Sequence, residues 1–301
     1  MKRNFKKLSI CHIDILKRFC RLHQPSISEI NAVNLFIWKD YYDYHWNIID
    51  GYLIIIGKKK DGSFFSYQPF GLRNAEKNII KKIFDVLKYD LHSEVLQMTR
   101  VEKRFASNLN GSSGLSVIPL RNHFDYVYLI DRTVFLKGKI YETKRNEINK
   151  FHNRLNGDEL FIDGFKEKYF ESYLSISKKW SIENKSNDNA QIEAEYTAIT
   201  NAIENADKLN LTGTTVIING KVEAFTICDM LNYNTALIHI QKYNRSIPGI
   251  CVFLTKETLL QNYSGVKYFN YEQDLGIEGL KFSKLSYRPV FLEEKYELKK
   301  M

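Results

Sequence analysis

The stretch TTVIINGKVEAFTICDM, residues 214–230, constrains this chain more than any other. Two β-branched, apolar runs flank Asn219-Gly220, and Asn-Gly between such runs is the strongest short-range signal for a two-residue β-hairpin. TALIHIQKYN (235–244) follows as a further strand, and Ser246-Ile-Pro-Gly249 leads into a helix, ICVFLTKETLLQNY (250–263). A strand over Val266–Tyr271, a short helix over Leu280–Ser283 and a last strand over Pro289–Tyr296 complete the half. An antiparallel meander that continues as strand, turn, helix and strand is an α+β layer domain.

The first half repeats the theme. Pro25-Ser26-Ile27-Ser28 opens a helix with Ser26 or Ser28 as N-cap, running to about Tyr42. Hairpins turn at Asp50-Gly51 and Asp61-Gly62, and a helix spans Asn74 to about Lys88. Strands over Val95–Thr99 and Tyr126–Ile130 enclose a helix from Val101 to Leu109 and a loop, NLNGSSG, whose Asn110-Gly-Ser reads as a turn. Phe165–Trp180 and Ala190–Lys208 carry helical periodicity. A chain of 301 residues has room for two domains, and the repeat places the boundary near Asn156-Gly157, giving 1–157 and 158–301.

The formal charge is +9. Such an excess suits an anionic partner (nucleic acid, a phosphorylated donor or a membrane surface), or simply a Lys-rich surface. The four cysteines, Cys11, Cys20, Cys228 and Cys251, show no metal or redox spacing and read as reduced thiols. His12, Asp14 and Lys17 break the first apolar run, so it is no signal peptide, and Tyr52–Ile56 is too short to span a bilayer. The expectation is a cytoplasmic monomer without a metal.

Two segments concentrate charge. In KGKIYETKRNEINKFHNR (137–154), Ile140, Lys144, Ile148, Phe151 and Leu155 share one helical stripe. Lys144 thus interrupts an apolar face and needs an anion or a route to water. Lys137, Lys139, Tyr141 and Arg145 flank it, so the segment is either a phosphate site or a solvated basic helix. In 270–290, Glu272, Gln273 and Asp274 end a strand, and Lys281, Lys284 and Arg288 follow; such charges either pair structurally or build a site. On TALIHIQKYN, Leu237, His239, Gln241 and Tyr243 share a face, so His239 either lines a cleft or is a satisfied core histidine.

The element order of the second half resembles the GNAT acyltransferase core, where the turn after the central strand aims backbone N–H groups at a pyrophosphate. Here that turn, Asn244 to Gly249, is not glycine-rich, and Pro248 lacks a donor. More specifically, YVYLIDRTVFLKGKIYETKRNEINKF (126–151), HIQKYN (239–244) and YFNYEQDLGIEGLKFSKLSYRP (268–289) resemble an uncharacterised bacterial family that shares the soluble C-terminal domain of phosphatidylglycerol lysyltransferases. That resemblance covers the chain from about Ser26. It implies two tandem GNAT-like domains, similar to the Fem aminoacyltransferases, and amino-acid transfer from aminoacyl-tRNA to a hydroxyl or amine without a cofactor. By the same resemblance Lys137, Lys139, Lys144 and Arg145 would grip donor phosphates, and Tyr141, Asn244 and Arg288 are further candidates for the donor site. Asp274 would orient or deprotonate the acceptor nucleophile, with Lys281 and Lys284 near the developing charge, and His239, from its place on the strand, is a further catalytic candidate. The membrane-spanning domain that precedes this region in the lysyltransferases has no counterpart here, which leaves a soluble acceptor or a lipid reached from the membrane surface. Two alternatives stand beside this reading: an acyl-CoA-dependent N-acyltransferase, and a non-catalytic basic module that binds RNA or a membrane surface.

Overall fold

The structure is a computed structural model that describes residues 5–71, 77–109, 111, 114–183 and 189–301. The start of the helix expected from Asn74 and the turn at Asn110-Gly-Ser lie outside the described residues. The chain forms two compact units, Met1–Asp125 with Gln273–Glu278 and Leu292–Met301, and Tyr126–Glu272 with Gly279–Phe291.

The first unit contains β1 (Lys6–Lys7), α1 (Ile13–His23), α2 (Ala32–Ile37), β2 (His45–Ile49), β3 (Tyr52–Lys58), β4 (Phe64–Ser66), α3 (Lys77–Asp85), β5 (Gln97–Glu102), α4 (Lys103–Leu109) and β6 (Leu115–Pro119). The second sheet and its helices comprise β7 (Asp125–Leu129), α5 (Ile130–Phe135), α6 (Glu142–Leu155), β8 (Leu160–Gly164), α7 (Phe170–Glu183), α8 (Asn189–Glu204), α9 (Ala206–Leu209), β9 (Thr214–Ile218), β10 (Lys221–Asn232), β11 (Thr235–Tyr243), α10 (Ile250–Tyr263), β12 (Tyr268–Asn270), α11 (Glu278–Ser286) and β13 (Phe291–Glu293), whose last two residues fall in the first unit. The final strand, β14 (Lys295–Lys300), returns to the first sheet.

The first sheet runs β1-β2-β3-β4-β5-β14-β6. Asp50 and Gly51 both adopt positive φ, the geometry of the tight turn their sequence announces, and bring Ile49 opposite Tyr52. Ile79, Ile80, Ile83 and Phe84 of α3 pack over Ile54 and Ile56 of β3, Met98 and Val101 of β5, and Leu298 of β14. The long helix expected over residues 26–42 is instead a 3-10 turn (Ser28–Ile30) and the short α2. Asn31 caps α2 by accepting from the N–H groups of Val33 and Asn34. Ser26 and Ser28 spend their hydroxyls on carboxylates, Ser26 on Glu102 and Glu293 and Ser28 on Asp125.

The second sheet runs β13-β7-β12-β11-β10-β9-β8. The Asn219-Gly220 hairpin forms as read, with both residues at positive φ and Ile218 facing Lys221. Strand β11 pairs parallel with β12 only from Thr235↔Tyr268 to Leu237↔Asn270. Beyond Leu237 it runs on to Tyr243 while β12 stops, so the two chains part and leave a splay in mid-sheet. Helix α10 makes the crossover between them, as a parallel pair requires. Phe151 of α6 stacks on Phe253 of α10, ring centroids 4.4 Å apart, over Val216 and Ala224.

The compact units meet in sequence at Asp125–Tyr126 rather than near Asn156-Gly157. The reason is pairing: Tyr128 of β7 sits opposite Phe269 of β12, far along the chain. Strand β7 and helices α5 and α6 therefore belong to the second unit, and β14 to the first.

Candidate active site in the second unit

The splay between β11 and β12 is filled by polar side chains. As the alternation predicts, Gln241 projects from the same face as His239, and this face meets α10. Its amide donates to the Cys251 carbonyl at 3.0 Å. Its oxygen accepts from the Tyr271 hydroxyl at 2.8 Å and from Thr255 at 3.1 Å. Buried polar groups matched this fully hold a rigid arrangement. Beside them the buried Tyr287 hydroxyl has no hydrogen-bond partner among the described residues.

His239 is fully buried at its side chain, with Nε2 2.9 Å from Asp229 and Nδ1 3.5 Å from Glu272. Burial alone would lower its pKa, but the two carboxylates outweigh it and raise it to about 9. The residue is thus an imidazolium at neutral pH, which excludes it as a general base and makes it the tie between Asp229 and Glu272. Both flanking carboxylates keep an edge toward water, at 15% and 17% side-chain exposure.

The two lysines expected near the chemistry are also buried. Lys284 donates from Nζ to the Tyr271 carbonyl and lies 4.3 Å from the Tyr271 ring centroid. Lys144 meets the anion its stripe position demands in Glu147, at 3.0 Å, and lies 4.3 Å over the Tyr287 ring. Arg145 donates to the carbonyls of Leu136 and Gly138, closing the end of α5. Tyr141 is buried, which raises its pKa against the pull of Arg132 and Arg288. Lys137, Lys139 and Arg288 stay exposed, and Lys281 is partly exposed.

The Glu272-Gln273-Asp274 run does not form one wall. Glu272 holds His239 in the second unit. Gln273 and Asp274 belong to the first unit, where Gln273 accepts from Lys295 and Asp274 from Arg121 at 3.3 Å and the Gly276 N–H at 2.8 Å. Asp274 is thus a buried carboxylate tied to a guanidinium and a backbone N–H of its own unit.

Three backbone donors of the strand-to-helix turn are already bonded. The Asn244 N–H goes to the Glu223 carbonyl, Ser246 N–H to Asn244 Oδ1 and Ile247 N–H to the Asn244 carbonyl. Gly249, at φ +76°, lies so close to α6 that a Cβ would overlap the Glu147 carbonyl. The α6 backbone thus lies against the residue that precedes α10.

A groove opens next to this turn instead. Arg154, Asp158, Lys221, Glu223, Asn244 and Ser246 line a cavity of about 320 Å³. A second, of about 310 Å³, is lined by Lys179, Trp180, Tyr243 and, again, Lys221, Glu223 and Asn244. Glu223 is the shared wall, accepting from Lys221 and Asn244 at 2.7 Å each. On the far face of β11 the buried Lys242 sits 2.8 Å from Glu195 and 3.2 Å from the Trp180 ring centroid. Asn244 is the one expected donor residue in this groove. Glu223, Lys221 and Trp180 escape sequence reading, because nothing local marks which of many charged and aromatic residues a hairpin and a helix will bring together.

Two seven-stranded mixed sheets with flanking helices, each with an antiparallel meander and one parallel pair, define a tandem GNAT-type fold. The chain belongs to the family described as phosphatidylglycerol lysyltransferase, C-terminal, which matches residues 21–299. A conserved protein of unknown function from Bacteroides thetaiotaomicron is 27% identical over 99% of both chains, with a TM-score of 0.90. The structure of L-PGS from Bacillus licheniformis is 13% identical over 99% of this chain and 94% of that one, with a TM-score of 0.68. FemX is 9% identical over 98% and 96%, with a TM-score of 0.60. No curated protein sequence matches the chain. No helix among the described residues is long and apolar enough to cross a membrane.

Proposed function

We propose that the chain is an aminoacyl transferase that takes its amino acid from aminoacyl-tRNA and passes it to a hydroxyl or amine acceptor. The carrying observation is the accounting of donors at the Asn244–Gly249 turn. Three of its N–H groups are bonded within the second unit, Pro248 has none, and α6 packs against Gly249. A CoA pyrophosphate needs those groups, so this turn supports a different anionic donor. The groove beside it presents Arg154 and Lys221 to phosphates and Trp180 and Tyr243 as aromatic walls, a combination suited to a single-stranded RNA end.

In this reading the acceptor heteroatom attacks the ester carbonyl, the bond to the ribose oxygen breaks, and the acceptor's proton passes to that leaving oxygen. Glu272 and Asp229, fixed by the His239 imidazolium, would take the aminoacyl ammonium. The Lys284 ammonium would supply positive charge to the developing oxyanion, and the Tyr287 hydroxyl a hydrogen bond.

The test is incubation with charged total tRNA and a cell extract as acceptor source, beside a parallel incubation with acyl-CoA. Acceptor-dependent deacylation of tRNA, lost in Glu272→Gln, is the expected result. Release of free CoA with no deacylation would instead establish the N-acyltransferase.

A further inference from the structure

The first unit holds a pair of carboxyl groups that the transfer chemistry leaves unused. Ser26, on the loop after α1, places its hydroxyl between them, 3.1 Å from Glu102 of β5 and 2.9 Å from Glu293. All three residues belong to the same compact unit. A hydroxyl has one hydrogen, so Ser26 can donate to one carboxyl group and can only accept from the other.

Glu102 has the stronger claim on that hydrogen. It also accepts the Ser26 N–H at 2.7 Å and the Gln68 amide at 2.6 Å, and His23 Nε2 lies 3.0 Å away. Burial would raise its pKa, but His23, Ser26 and Gln68 outweigh burial and leave it lowered. Glu102 is therefore the ionised member. Among the described residues Glu293 has Ser26 Oγ as its sole hydrogen-bond partner. An ionised Glu293 would meet only lone pairs there, whereas a carboxylic acid would donate into them. The 2.9 Å contact thus calls for a proton on Glu293.

The surrounding charges favour the same proton. Glu102 of β5 and Asp125 at the start of β7 face Glu293 with negative charge, and His23 of α1 lies beyond Glu102. Lys295 of β14 is the opposing cation, and its ammonium is shared between Asp125 and Glu29. Burial, with Glu102 and Asp125, raises the Glu293 pKa to about 7 against the pull of Ser26 and Lys295.

We propose that Glu293 is held as a carboxylic acid whose proton latches the segment before β14 to Ser26, and that its ionisation loosens this corner of the first unit. Once Glu293 ionises, two carboxylates compete for one hydroxyl hydrogen. The latch is independent of the donor and acceptor of the transfer reaction.

The test is an infrared titration of the folded protein in the protonated-carboxyl region, beside Glu293→Gln. Wild type should show an acid band at pH 6 that fades as pH rises through about 7, and Glu293→Gln should lack it. The Gln amide donates to Ser26 as the acid does, so this variant keeps the latch closed at every pH. Amide hydrogen exchange reads the loosening at the Ser26 N–H. At pH 8 that group should exchange about tenfold faster in wild type than in Glu293→Gln, and at pH 5 the two should match. The wild-type titration needs no variant: absence of an acid band at pH 6 would overturn the proposal. So would the same band in Glu293→Gln, or equal Ser26 exchange in the two proteins at pH 8.

Discussion

The ammonium of Lys295 lies 2.6 Å from the carboxylate of Asp125, 170 residues earlier in the chain, and neither side chain is exposed. Glu29 is its second anion, and Ser28 and Gln273, each at 3.2 Å, complete the cage. Burial disfavours the charged lysine, but Asp125 and Glu29 outweigh it and leave the pKa raised. The three chain segments that make up the first unit each contribute to this one ammonium.

Lys295→Met should therefore destabilise the first unit by about 3–5 kcal/mol, because it removes the cation that two buried carboxylates share. Urea unfolding followed by circular dichroism measures this. A loss below about 1 kcal/mol would show that the cage behaves like a surface pair.

His239 makes stability depend on alkaline pH. Its folded pKa, about 9, is raised above the ordinary 6.5, so the folded state binds the proton more tightly than the unfolded chain. The contribution is complete below pH 6.5 and disappears as pH rises through about 9. It amounts to about 3 kcal/mol. In His239→Gln, a pH series of urea midpoints should lose this slope between neutrality and pH 9; an unchanged slope would assign the dependence to another group.

Gly249→Ala should cost at least about 2 kcal/mol, since it combines a strained positive φ with overlap against the Glu147 carbonyl. The same substitution at Gly157, also at positive φ but with open space around a Cβ, should cost less. Equal melting temperatures for the two variants would contradict the close packing of α6 on α10.

If the groove holds RNA phosphates, Arg154→Ala with Lys221→Ala should lower tRNA affinity and flatten its salt dependence. The slope of log K against log salt should fall by about 1–2, while melting is little changed. A slope equal to wild type would place the RNA elsewhere.

The local elements were largely legible in the residues. Asn219-Gly220 and Asp50-Gly51 form the turns they spell, because positive φ at two successive positions is decided by those residues alone. The stripe that predicts α6 also predicts that Lys144 needs an anion, and Glu147, one turn on, supplies it. The capping of α2 was misread because serine hydroxyls can serve a helix or a distant carboxylate equally well, and Asp125 and Glu102 won them.

By itself the sequence determined the hairpins, the major helices, the α+β class and, through its resemblance, the tandem GNAT-like fold. These depend on periodicity and turn chemistry, which act over a few residues. Only the tertiary structure decided which unit β7, α6 and β14 join, that His239 is an imidazolium between two acids, and that Glu272, Gln273 and Asp274 answer to three different cations. Each of these depends on which charges meet after burial. A charge in a sequence has a sign, but its partner and its pKa are set by desolvation and distance, and those exist only once the chain has folded.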